Sequence, residues 1–101
     1  MLEQLSFQES FKKYASTLTK YVPIVARVHG PHHPEFLDVV TVFDTIKSKV
    51  VDSKGKHINL DNEFAELRSI TNDYEIPSDV CETFAAVYQM LKIINQSYQE
   101  S

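Results

Sequence analysis

The sequence has one cysteine, Cys81, no tryptophan, two glycines and four prolines. A single cysteine excludes an internal disulfide and fits a reducing compartment, so the fold must be held by packing. Scarce glycine and proline argue against a turn-rich β protein and for helices. No apolar run reaches the roughly 18 residues that would span a bilayer, so no membrane association is expected. The opening Met1-Leu2-Glu3-Gln4 lacks a basic n-region and an apolar h-region, and no secretory signal is expected there. The formal net charge is −4 and no basic stripe stands out, so nucleic acid is not an expected partner. These absences together point to a cytoplasmic protein.

What is present is ordinary for a globular chain. Of 101 residues, 43% are hydrophobic and 24% charged, which predicts one domain with a modest core. Apolar residues recur at helical spacing in four segments. The first runs from about Ser6 to Val28, with a seam of Phe7, Phe11, Tyr14, Leu18, Tyr21, Val25 and Val28. Pro23 inside it predicts a bend near Thr19–Val22, and Gly30-Pro31 supply a stop. The second opens at Pro34 and carries Phe36, Val39, Val40, Phe43, Ile46 and Val50. Ser53-Lys54-Gly55-Lys56 reads as a turn. The third takes Asn59 as N-cap and continues to Ser69 through Leu60, Phe64 and Leu67. After a loop over 71–77, the fourth opens with Ser78 as N-cap and aligns Val80, Phe84, Val87, Leu91, Ile94 and Tyr98. Short connections imply antiparallel neighbours, so the predicted fold is an all-α, up-down-up-down four-helix bundle.

Few residues carry obvious chemistry. The histidines are His29, His32, His33 and His57, three of them in His29-Gly30-Pro31-His32-His33. Either His29 and His33 clasp a divalent ion, or they end and cap successive helices. A carboxylate near a histidine at helical spacing occurs at His57 and Asp61. Glu63 and Glu66 read as a solvated helix face. Cys81 is expected in the first turn of the fourth helix as a buried thiol, with Asp79 and Glu82 opposing its ionisation.

Two blocks suggest a family. Tyr21-Val22-Pro23-Ile24-Val25-Ala26-Arg27-Val28-His29-Gly30, then His33-Pro34-Glu35, resembles the iron–sulfur cluster repair di-iron proteins. These carry a hemerythrin-like domain and are linked to recovery from nitric-oxide and oxidative stress. Leu67-Arg68-Ser69-Ile70-Thr71-Asn72-Asp73-Tyr74, then Pro77 and Cys81, is similar to the loop before that family's last helix, and Ala86 and Tyr88 continue the match. The resemblance implies iron as the cofactor. It also places the family's ligand histidines near Gln8, Ser53, His57 and Ser101, so that only His57 keeps its donor. The segment between the second and third helices reads as shortened. The last partner glutamate and a cysteine-bearing N-terminal segment have no counterpart. Gln and Ser are weak, neutral ligands, so no intact di-iron site is expected.

Three functional expectations follow. The first is a non-catalytic, regulatory module that pairs with a full-length relative or with itself. Its motive is a set of apolar residues off the seam, Val22, Val42, Val51, Met90 and Ile93. The second is a metal-binding protein that holds iron or zinc through His29, His32, His33 and His57. The third is a small bacterial immunity- or adaptor-type bundle.

Overall fold

The computed structural model describes residues 6–54, 56 and 58–100. They form a four-helix bundle and, among the described residues, no strand: α1 (Phe7–His29), α2 (Glu35–Ser53), α3 (Asp61–Ile70) and α4 (Glu82–Glu100). None of these helices is long and apolar enough to cross a membrane.

α1 starts with a capping box. Ser6 Oγ accepts from the Glu9 amide at 3.2 Å, and Glu9 Oε1 accepts from the Ser6 amide at 3.1 Å. The helix runs on through Pro23, which lies on the exposed side. Its buried stripe is Phe7, Phe11, Leu18, Val22 and Val25. That differs from the expected seam, because Val22 replaces Tyr21 and Val28 is 57% exposed. A strict four–three repeat averages 3.5 residues per turn, whereas the helix turns every 3.6. Over three heptads the inward face drifts by about one residue. The drift turns His29, not Val28, toward the neighbouring helix.

α2 buries Phe36, Val39, Val42, Phe43 and Ile46. Two residues expected off the seam are therefore core, since Val22 is 2% and Val42 6% exposed. Val51 and Ile93 are exposed as expected, and Met90 is half-buried. α3 begins one residue later than predicted. Leu60 holds the N-cap position, and Asn59 Oδ1 accepts from the Asp61 amide at 3.0 Å from one place upstream. Glu63 is not simply solvated. It accepts from Lys49 Nζ at 2.7 Å, and that bond holds its carboxyl below the usual range.

α4 starts at Glu82, four residues after the expected cap at Ser78. The preceding segment turns sharply. Asn72, Asp73 and Tyr74 all have positive φ, 53°, 62° and 65°. Each costs about 1–2 kcal/mol for a residue with a Cβ. Tertiary contacts offset that strain. Tyr74 is 6% exposed, and its hydroxyl donates to Asn95 Oδ1 at 2.8 Å. The same oxygen accepts from Arg68 at 3.1 Å, and Thr71 Oγ1 accepts from the Tyr74 amide at 2.8 Å. Asp79, predicted to favour the start of α4, instead reaches across to His33.

Ring contacts define the two ends. Phe7 meets Tyr98 at 5.5 Å and Phe64 at 6.0 Å, and Phe64 meets Tyr98 at 5.0 Å. The starts of α1 and α3 thus join the end of α4. At the other end Phe84 meets Phe36 at 5.2 Å and His29 at 5.3 Å, which joins the end of α1 to the starts of α2 and α4. α1 therefore runs antiparallel to α4.

Candidate functional site

The titratable side chains gather at the second end. His29, the last residue of α1, places Nε2 3.2 Å from Cys81 Sγ. Cys81 is exposed, and its carbonyl accepts from the Ala85 amide at 3.1 Å, so it stands on the threshold of α4. This corrects two expectations. The thiol is neither buried nor inside the first helical turn, and it has a histidine beside it. The partners lie 52 positions apart in the chain. No local pattern announces such a pair. The one usable signal was the helical drift that turns residue 29 inward.

His33 closes the corner. Its side chain is 13% exposed. Nδ1 lies 3.0 Å from Glu35 Oε2, and Nε2 lies 3.1 and 3.2 Å from the two oxygens of Asp79. A neutral imidazole has one N–H, so two carboxylate-facing nitrogens require the doubly protonated ring. Burial lowers the pKa of His33, but the bonds to Glu35 and Asp79 and their charges outweigh it and raise the value above that of a free histidine. The ring ties the loop before α4 to the α1–α2 connection. Phe84 presents its ring to both histidines, at 5.3 and 5.4 Å. Behind it, burial first and the Glu35 charge second push the Tyr88 hydroxyl up to about 12.

Gly30 makes the tight corner. It is buried with helical backbone angles (φ −51°, ψ −40°), not the left-handed turn of a usual glycine stop. A Cβ there would lie 2.3 Å from the Ala26 carbonyl oxygen. Glycine is needed for close approach of the backbone.

The candidate metal-binding histidines are thus partly brought together. The rings of His29 and His33 are 6.4 Å apart, with nitrogens facing Cys81 in one case and two carboxylates in the other. His32 is exposed. His57 lies outside the described residues, as does Ser101. Among the described residues no group of three or more His, Cys, Asp or Glu side chains is arranged to hold a metal ion.

Two of the positions that the resemblance assigns to iron ligands, Gln8 and Ser53, lie at the opposite end. Gln8 Nε2 donates to the Lys56 carbonyl at 3.3 Å, and Ser53 Oγ donates to the Val50 carbonyl at 2.7 Å. Both are neutral, weak donors already used on the backbone. The nearby carboxylate of Asp61 accepts from the Tyr98 hydroxyl at 2.7 Å. Burial, then that bond, raises the pKa of Tyr98. The rings of Phe7, Phe64 and Tyr98 pack against one another at this same end. The described donors do not fit a di-iron centre, because nothing there balances the charge of two irons.

Comparison with known proteins agrees with the distant relationship. The chain is similar to the iron-sulfur cluster repair protein ScdA of two Staphylococcus epidermidis strains, 24% identical over 124 residues, covering 92% of this chain and 55% of the relative. It is also similar to ScdA of Staphylococcus haemolyticus, 20% identical over 128 residues, covering 96% of this chain and 58% of the relative. The chain therefore spans little more than half the length of the curated relatives it matches. No family model matches it, and no solved structure matches it. The similarity supports a helical module related to repair proteins.

Proposed function

We propose that this chain is a shortened, ligand-depleted relative of the repair proteins that acts in the cytoplasm as a non-catalytic, regulatory partner of a full-length repair protein. The observation that carries this reading is that Gln8 and Ser53, at positions the resemblance assigns to iron ligands, are neutral and bonded to the backbone, within a chain similar to ScdA over 92% of its length. The length of the alignment also supports it. Its 124 positions exceed the 101 residues of the chain, so the relatives carry stretches with no counterpart here. A partner face is available beside the same end. An open, largely apolar groove of about 500 Å³ is lined by Gln8, Phe11, Lys12, Ala15 and Val50, next in the chain to the exposed Val51.

The test mixes untagged protein with a full-length repair protein and follows sedimentation and iron content. The expected result is a complex with Kd at or below about 10 µM, with less than about a tenth of an equivalent of iron on this chain. Val51→Asp should weaken the complex. Two independent species at about 100 µM each, or a stoichiometric di-iron centre in this chain alone, would overturn the proposal. Self-association without binding to the repair protein would count against the assigned partner.

A further inference from the structure

We infer that Cys81 and His29 form a thiol–imidazole pair that makes Cys81 a selective site for oxidation by hydroperoxides. The pair is built by tertiary structure. His29 comes from the end of α1 and Cys81 from the start of α4, with Nε2 and Sγ 3.2 Å apart. That distance permits direct transfer of the thiol proton. His29 is half-buried and held against the Phe84 ring at 5.3 Å, so it is positioned before any reagent arrives. The thiol is exposed, as attack from solvent requires. It also sits where the first amides of α4 lack helical acceptors and favour negative charge.

The nearby acidic residues do not cancel this. Asp79 is two residues from Cys81, but both its oxygens lie within 3.2 Å of His33 Nε2, so it is turned to that ring. Glu35 is likewise turned to His33 Nδ1 at 3.0 Å. Glu82 is exposed to solvent, where its field is screened.

The reaction balances with hydrogen peroxide as the oxidant. His29 Nε2 takes the thiol proton, and the sulfur attacks one peroxide oxygen. An S–O bond forms while the O–O bond breaks. The imidazolium returns its proton to the departing hydroxide as water. The products are the sulfenic acid of Cys81 and one water, with sulfur oxidised by two electrons and peroxide reduced by two.

The test uses the full-length chain, reduced, desalted and exposed to hydrogen peroxide at a single neutral pH. Thiol loss is followed in time, and dimedone trapping with mass spectrometry locates the adduct. Folded protein should react about tenfold faster than the same chain in urea, with the adduct on Cys81. His29→Gln should bring the rate down to that of the unfolded chain while circular dichroism keeps its helical signal. A folded rate no faster than the unfolded one overturns the inference, as does a folded His29→Gln variant that reacts like wild type. If His29→Gln does not fold, the comparison of folded with unfolded wild type decides.

Discussion

At the end where α1 and α3 begin and α4 finishes, Phe7, Phe64 and Tyr98 meet ring to ring, and the hydroxyl of the half-buried Tyr98 has both a donor and an acceptor. At the other end His29, His33, Glu35, Asp79 and Cys81 surround one face of Phe84. The first end stores stability in contact area, which is insensitive to pH and salt. The second holds its elements together through charge and a tight backbone, and leaves a thiol at the surface. Similarity to repair proteins would direct attention to the first end, yet the second end carries the reactive groups.

The contrast is best attacked first at the aromatic end. Phe64→Ala removes a ring that is 1% exposed and should cost about 4 kcal/mol. A domain of this size has a total stability of roughly 5–15 kcal/mol, so urea unfolding followed by circular dichroism should show a large loss. A cost below about 1 kcal/mol would mean that this end is not a packed core.

Gly30→Ala probes the other end. The added methyl meets the Ala26 carbonyl at 2.3 Å, and the corner must shift, for about 2 kcal/mol. Unchanged thermal unfolding would show that the close approach is not required.

Tyr98→Phe keeps the ring and removes the hydroxyl. The Leu60 amide then loses its acceptor and Asp61 its donor, each at 2.7 Å. The expected loss is about 1 kcal/mol, readable as a lower urea midpoint with an unchanged slope. An unaltered midpoint would leave the rings alone as the source of stability at this end.

The smallest effect separates the ends by pH. The folded pKa of His33 is raised above 6.5. Its contribution is therefore complete below that value and is lost as pH rises through the folded pKa. His33→Gln should cost about 0.5 kcal/mol below pH 6.5, and the cost should fall toward zero as pH rises through the folded pKa. A cost that grows with pH would show that the charge on His33 does not hold the corner. Phe64→Ala should show no such dependence.

Much of the architecture was legible before the fold was known. Phe7, Phe11, Phe43, Phe64 and Phe84 stood at helical spacing and are all buried. The start of α1 was readable because Ser6 and Glu9 form a local box. The start of α4 was misread at Ser78, since the helix begins at Glu82 and the neighbouring Asp79 is drawn to His33, 46 residues away. The strained turn over 72–74 was hidden for the same reason. Tyr74 disfavours positive φ, and its burial, its bond to Asn95 and the Thr71 hydroxyl on its amide sustain it. At the candidate site His29 and His33 were singled out, but Cys81 was read as a buried thiol, whereas it is exposed beside His29.

The sequence by itself determined four amphipathic helices and placed neutral Gln8 and Ser53 where the resemblance assigns iron donors. Both depend on residue type and short-range spacing, which the chain states directly. Tertiary structure decided which side of α1 faces inward at its last turn, and so placed His29 on Cys81. The mismatch between a 3.5-residue stripe and a 3.6-residue helix accumulates along the chain. Only packing against α4 settles where that drift ends.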